Sequence, residues 1–176
     1  AVRGYNDGFA FCYKIPDGKG PCVNVQSELT AYNFAGDYTA WFYNGENHNI
    51  GPEKLTETDG TRLPVMTVKA GDKHYMAIHE ACLETGAPLV LQSKGGESLF
   101  SVASKPTSLS PGYTSAWRVV LYGTTPGVLT DSHLLELLNP DPDSRYDFSW
   151  VKPGLAVWDW RINGAVWDGF TYGMSY

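Results

Sequence analysis

Two short groups in this chain of 176 residues have side chains that could do chemistry. The first is Glu80, which ends the strand-like run Tyr75-Met76-Ala77-Ile78-His79-Glu80 and is followed by Ala81-Cys82-Leu83. A carboxylate in so apolar a stretch is more shielded than most acids. Lone glutamates are mostly exposed or salt-bridged, however, and that ordinary reading competes with any special role. Strand alternation points His79 to the opposite face, where a structural or surface histidine is expected. The second group is Trp158-Asp159-Trp160-Arg161. Asp159 could hydrogen-bond a polar ligand, and Trp158 or Trp160 could stack on a flat apolar face of it. Equally, both tryptophans could be core and Asp159 a cap or turn residue. On a regular strand Asp159 faces away from Trp158 and Trp160, so not all three can line one pocket.

Elements dominated by short strands must position these groups. Phe9–Lys14 is aromatic-rich and stops at Pro16-Asp17-Gly18, a turn signal, with Cys22–Gln26 expected as the return strand. Leu29–Phe34 and Thr39–Tyr43 follow. Asn44–Leu63 is polar and punctuated by Gly, Pro and Asn, and reads as a long surface loop. Val65–Val68 and Tyr75–Glu80 flank the turn at Ala70–Lys73. Leu89–Gln92 and Ala116–Tyr122 are further apolar runs. Leu129–Leu138 fits either a short helix or a buried strand. Many short strands with regular turns predict a mainly β, antiparallel β-sandwich or barrel. The acidic, proline-containing stretch Asn139–Asp143 reads as a linker, and Leu155–Trp158 as the first strand of something new.

Composition narrows the classes. The chain is 43% hydrophobic and 18% charged, so a packed core is expected. A net charge of -6 with no basic cluster argues against a nucleic-acid partner. No apolar run is long enough to span a membrane as a helix. Aromatic residues make up 14% of the chain, and packing accounts for most of them. Three cysteines do not form a closed disulfide framework. Cys12 and Cys22 would face each other across a hairpin centred near Asp17, where a bridge is geometrically open. The chain starts inside what reads as a strand, so the natural start is expected further upstream. For that reason the lack of a signal peptide excludes no compartment.

Several segments together resemble glycoside hydrolase family 97. They are Arg3–Phe11, Glu28–Phe34 with Gly36-Asp37, Thr39-Ala40-Trp41, Ala77–Ala81, Ala116–Val120, Asp131-Ser132 and Ser149–Gly154. The resemblance implies an N-terminal β-supersandwich of the galactose-mutarotase type over residues 1–149, truncated at its start. Residues 150–176 are then the stub of a catalytic (β/α)8 barrel, which needs about 250 residues to close. It also implies an α-galactosidase or α-glucosidase acting on oligosaccharides with a terminal α-linked hexose, in the periplasm or outside the cell. Glu80 matches a family glutamate that helps bind one calcium ion at the sandwich–barrel interface, and carboxylate oxygens suit that hard cation. Asp159, Trp158 and Trp160 fall at the C-terminal end of the first barrel strand, where substrate groups of such barrels gather. The two carboxylates that cleave the glycosidic bond are implied to lie further along the barrel, so neither is assigned here and the chain alone is expected to be inactive. The run Ala156–Trp160 leans toward the retaining galactosidase branch.

Two other classes fit part of the pattern. A non-catalytic carbohydrate-binding β-sandwich would share the aromatic content and acidity, but would have no reason to end in a buried-type strand. A sugar-epimerase-like enzyme on the same fold would need an acid/base pair in a concave face. His79 and Glu80, adjacent on a strand, point apart.

Overall fold

A computed structural model describes residues 1–43, 49–84 and 87–155. The chain divides into two compact units, Ala1–Pro140 and Asp141–Tyr176. The first is built from twelve described strands and two short helices. The strands are β1 (Val2–Tyr5), β2 (Gly8–Phe11), β3 (Val23–Val25), β4 (Ala31–Asn33), β5 (Thr39–Tyr43) and β6 (Asn49–Lys54), then β7 (Asp59–Lys69), β8 (Tyr75–Ala81), β9 (Leu91–Lys94), β10 (Leu99–Val102), β11 (Thr107–Leu109) and β12 (Trp117–Gly123). Helices α1 (Pro126–Asp131) and α2 (Leu134–Leu138) follow β12.

Ten strands form one antiparallel sheet in the order β1-β2-β12-β8-β7-β9-β10-β4, with β5 also on β7 and β6 on β5. Strand β7 makes this sheet curl. Its first half pairs with β9, from Asp59 opposite Lys94 to Arg62 opposite Leu91. Its second half pairs with β8, from Met66 opposite Ile78 to Lys69 opposite Tyr75. One strand thus serves two walls, and the walls close on a shared core, as in packed sheets joined at a corner. That core gathers Phe42, Met66, Val68 and Ile78 from one wall with Leu91, Phe100 and Val102 from the other. The alternate residues of β8 and β12 build a second core. Ala77, Ala81, Trp117, Val119 and Leu121 meet Ala10 and Cys12, and α2 covers them with Leu134 and Leu138. The β8–β12 ribbon is therefore apolar on both faces, and its period-2 pattern assigns each residue to one core or the other.

Two expectations are corrected, and one left open is resolved. Val23–Val25 does not return against β2. It pairs with β11, while β2 lies between β1 and β12. The Pro16-Asp17-Gly18 turn is real punctuation, but the edges of β2 were already taken by strands that bury Ala10 completely. Asn44–Leu63 is not a loop throughout. Asn49–Lys54 is an edge strand, Leu55–Glu57 a 3-10 turn, and Asp59 begins β7. An edge strand needs no alternating apolar face, and it tolerates Pro52 where a central strand would not. Gly51, at φ +122, lies so close to β5 that an added Cβ would sit 2.6 Å from the Ala40 carbonyl oxygen. The region Leu129–Leu138, open between helix and strand, holds the end of α1, which starts at Pro126, and all of α2, with Ser132 and His133 between them. Its helices are short because their work is to cover β12. Gly123 accepts α1 at contact distance, where a Cβ would meet Val128 Cβ at 2.6 Å.

In the second unit the described part is residues 141–155. Arg145 bonds both oxygens of the exposed Asp143 carboxylate. Hydrogen bonds from Arg145 hold the Asp143 carboxyl below its ordinary value.

Leu134 is 1% exposed and Leu137 59% exposed, three residues apart on one helix. Leu134→Ala is expected to cost about 2–4 kcal/mol by opening a cavity under α2. Leu137→Ala is expected to stay within about 0.5 kcal/mol of wild type. Urea unfolding of both variants reads the difference, and equal effects would contradict the core assignment.

Candidate functional site

The β8–β12 register places Glu80 directly opposite Arg118. Ile78 and Glu80 share one face of β8, so Glu80 lies at the end of the core between the two walls. Arg118 is buried, with 4% of its side chain exposed, against 12% for Glu80 and 17% for Glu28. A buried guanidinium requires charge partners, and it has two. Glu28 receives Nε at 2.9 Å on Oε1 and Nη2 at 2.7 Å on Oε2, the parallel two-pronged geometry of a strong Arg–carboxylate pair. Glu80 receives only Nη1, on Oε2 at 3.4 Å.

Each carboxylate has further support. Thr30 Oγ1 donates to Glu28 Oε1 at 2.8 Å, and the Tyr13 hydroxyl lies 2.9 Å from Thr30 Oγ1. Ser104 Oγ accepts the Glu28 backbone N–H at 2.7 Å, anchoring the segment before β4. Glu80 Oε2 accepts the Leu89 backbone N–H at 2.7 Å, which ties β8 to the chain entering β9. Both contacts fall on Oε2, and no hydrogen bond among the described residues reaches Oε1. Burial alone would raise the Glu28 pKa, but hydrogen bonds from Arg118 and Thr30 and the Arg118 charge outweigh it, and the carboxyl lies below its usual value. Burial works against the charge on Arg118 too, yet the Glu28 hydrogen bond and both carboxylate charges hold it more firmly protonated than usual.

The Tyr32 hydroxyl is buried with no hydrogen-bond partner among the described residues. Burial pushes it above the ordinary tyrosine range, and it feels the charges of Arg118, Glu28 and Glu80. A buried polar atom left open beside a charged cluster marks a place where water or another polar group completes the bonding.

The other sequence candidates fall elsewhere. His79 Nδ1 accepts the Glu80 backbone N–H at 2.7 Å, and burial lowers its pKa despite the neighbouring Glu80 charge. It serves as a structural histidine. Trp41 and Tyr43 share one face of β5 and, with Asn49, Pro64, Val65 and Thr67, line an open groove. All three cysteines are free; Cys12 is buried and Cys22 exposed. The bridge left open by the sequence does not form, because Cys22 precedes a strand paired with β11. Asp159, Trp158 and Trp160 lie outside the described residues. Among the described residues no group of three or more His, Cys, Asp or Glu gathers as a metal site. The partnership of Glu28 with Arg118, 90 residues apart, carries no local sequence signal. Its only trace was that both sit in segments carrying the family resemblance.

Residues 1–140 match the family described as Glycosyl-hydrolase 97 N-terminal. The chain belongs to glycoside hydrolase family 97. Its curated relatives include a retaining alpha-galactosidase from Bacteroides thetaiotaomicron, 27% identical over 199 residues, 90% of this chain and 30% of that protein. A probable retaining alpha-galactosidase from Streptomyces bingchenggensis is 28% identical over 93% of this chain and 26% of its own length. Among solved structures, a family 97 enzyme from Pseudoalteromonas sp. strain K8, in complex with acarbose, is similar over 85% of this chain and 24% of its own. The TM-score is 0.72 at 25% identity. A single-substitution variant of that enzyme in complex with panose matches equally well. The chain thus spans less than a third of the relatives it matches.

Arg118→Met would leave two shielded carboxylates facing each other without their cation. We expect a loss of about 2–4 kcal/mol, below the fully buried range because both acids keep some solvent contact. Chemical unfolding checks it, and a change under 1 kcal/mol would contradict the geometry. Because the folded-state pKa of Glu28 is depressed from 4.5, its ionised form adds stability above the unfolded value and loses it as pH falls through the folded one. The stability advantage of wild type over Glu28→Gln should therefore be full above about pH 5 and shrink as pH falls below it. Melting curves of the two proteins across that range test the sign.

Proposed function

We propose that this chain is the N-terminal part of an α-glycoside hydrolase that removes terminal α-linked hexoses from oligosaccharides. The first reading is a retaining α-galactosidase, supported by the names of both curated relatives; an α-glucosidase type is the second, supported by the acarbose and panose complexes of the solved enzyme. Residues 1–149 form the supersandwich and residues 150–176 begin the catalytic barrel. Such an enzyme meets its substrate in the periplasm or outside the cell.

One observation carries the division of labour. Glycoside cleavage needs two carboxylates flanking the scissile bond, one to protonate the leaving oxygen and one to attack or to activate water. Of the partly buried carboxylates among the described residues, Glu28 is paired twice with the buried Arg118 and Glu80 touches it once. Glu28, bonded by Arg118 on both oxygens, is not free to carry a proton to a substrate. The pair that does the chemistry comes from outside the described residues, and this part binds and braces. Asp159, with Trp158 and Trp160, would hydrogen-bond and stack against the sugar.

Calcium belongs to this reading, and Glu80 fits the role of one ligand. It is a hard oxygen donor, braced at Oε2 by Leu89 N–H, beside the open Tyr32 hydroxyl. It does not make a site by itself. Calcium takes about six to eight oxygens, and the rest must come from other parts of the protein. When bound, the ion would supply positive charge that polarises a nearby oxygen. What the chain contributes is a carboxylate held in one direction.

In the full-length protein, Glu80→Gln is expected to weaken calcium binding and activity together without lowering the melting temperature of the metal-free form by more than a few degrees. The amide keeps the shape and removes the charge that a hard cation requires. The chain alone should not turn over aryl α-galactosides or α-glucosides. Turnover by the chain, lost on replacing one of its acids, would overturn the division of labour. Equal calcium affinity in wild type and Glu80→Gln would overturn the ligand role.

A further inference from the structure

Arg118 stands between two carboxylates and treats them unequally. It spends Nε and Nη2 on Glu28 at 2.9 and 2.7 Å, and reaches Glu80 with a single contact at 3.4 Å. One guanidinium and two carboxylates leave a net negative charge, and the distances place that excess on Glu80. The imbalance is built in. Thr30 holds Glu28 Oε1, Tyr13 reaches Thr30, and Ser104 anchors the Glu28 backbone. Among the described residues no comparable side-chain bracing ties Glu80 to Arg118. Its other bond, from Leu89 N–H, falls on the same Oε2 and leaves Oε1 without a hydrogen bond among the described residues.

We infer that Glu28 is a positioning residue: by holding the Arg118 guanidinium in a two-pronged pair, it keeps Arg118 from closing on Glu80 and so leaves the Glu80 carboxylate available to a divalent cation. This rests on the reading of Glu80 as a calcium ligand. Without Glu28, the buried guanidinium has one carboxylate left, directly across the β8–β12 ladder, and a two-pronged pair with Glu80 becomes its best option. Such a pair would occupy both Glu80 oxygens and cancel the charge that attracts the cation. Glu28 therefore acts on the metal through Arg118, as outer residues act on metal ligands.

A two-step substitution separates this role from simple structural support. Calcium alone is titrated calorimetrically into metal-stripped full-length protein, with thermal melting in chelator as the folding control. Glu28→Gln is expected to weaken calcium affinity about 10–100-fold, the range for outer partners of metal ligands. Adding Arg118→Met to Glu28→Gln removes the competing cation, and affinity should recover to wild type or better. A merely structural role predicts the opposite, since the double variant has lost more of the network. Unchanged affinity in Glu28→Gln, with Glu80→Gln clearly weakened, would overturn the inference while leaving the ligand reading intact. If Glu80→Gln binds calcium as wild type does, the ligand reading falls and the inference with it. If Glu28→Gln melts too low to titrate, the double variant decides. Binding at least as tight as wild type supports the inference, and weaker binding overturns it.

Discussion

The structure turns on one buried guanidinium. Arg118 lies on the central strand β12, and its partners come from three other places: Glu28 ahead of β4, Glu80 on β8, and through Glu80 the backbone entering β9. Those segments belong to both walls of the curled sheet. Hydrophobic contact holds the walls together but does not specify one relative placement, since apolar side chains of similar size repack at modest cost. A charge that cannot be left unpaired is less forgiving, because losing one partner strands the others in low dielectric. Arg118 thereby ties the ends of the core to fixed positions.

Under the proposed ligand role of Glu80, the same cluster would divide two demands made on a carboxylate. An acid ready for a cation must be oriented and must keep its charge, and these demands oppose each other. The groups that orient it best are donors, and a strong cationic donor cancels the charge. Here the conflict is divided between two acids. Glu28 takes the strong pairing and the hydroxyl support, while Glu80 is oriented mostly by a neutral backbone N–H. The Tyr32 hydroxyl, buried without a hydrogen-bond partner among the described residues and within reach of the charges of Arg118, Glu28 and Glu80, adds to the polar end of an otherwise apolar core.

Parts of this were legible in the sequence and parts were not, for reasons that differ by element. The hairpin of Val65–Val68 with Tyr75–Glu80 and the strand at Ala116–Tyr122 stood out because residues buried on both faces give dense apolar runs. Glu80 stood out as a charge in such a run, and its strand neighbour His79 was rightly set on the other face. Strand β6 was hidden because an edge strand with Gly51 and Pro52 has the composition of a loop. The partner of Val23–Val25 was misjudged because the nearest turn is only one of several ways to pair a short strand. Arg118 was read as part of a strand and not as a charge centre. Its role depends on Glu28, which is distant in sequence and has no periodic relation to it. Cys12 and Cys22 looked like a facing pair only on the hairpin that does not form.

The most direct measurement is a crystal structure of the full-length protein grown with calcium. The account predicts a divalent cation with a Glu80 oxygen about 2.3–2.6 Å away, while Arg118 remains two-pronged on Glu28. A cation bound without Glu80, with Arg118 paired through both prongs to the Glu80 carboxylate, would contradict it.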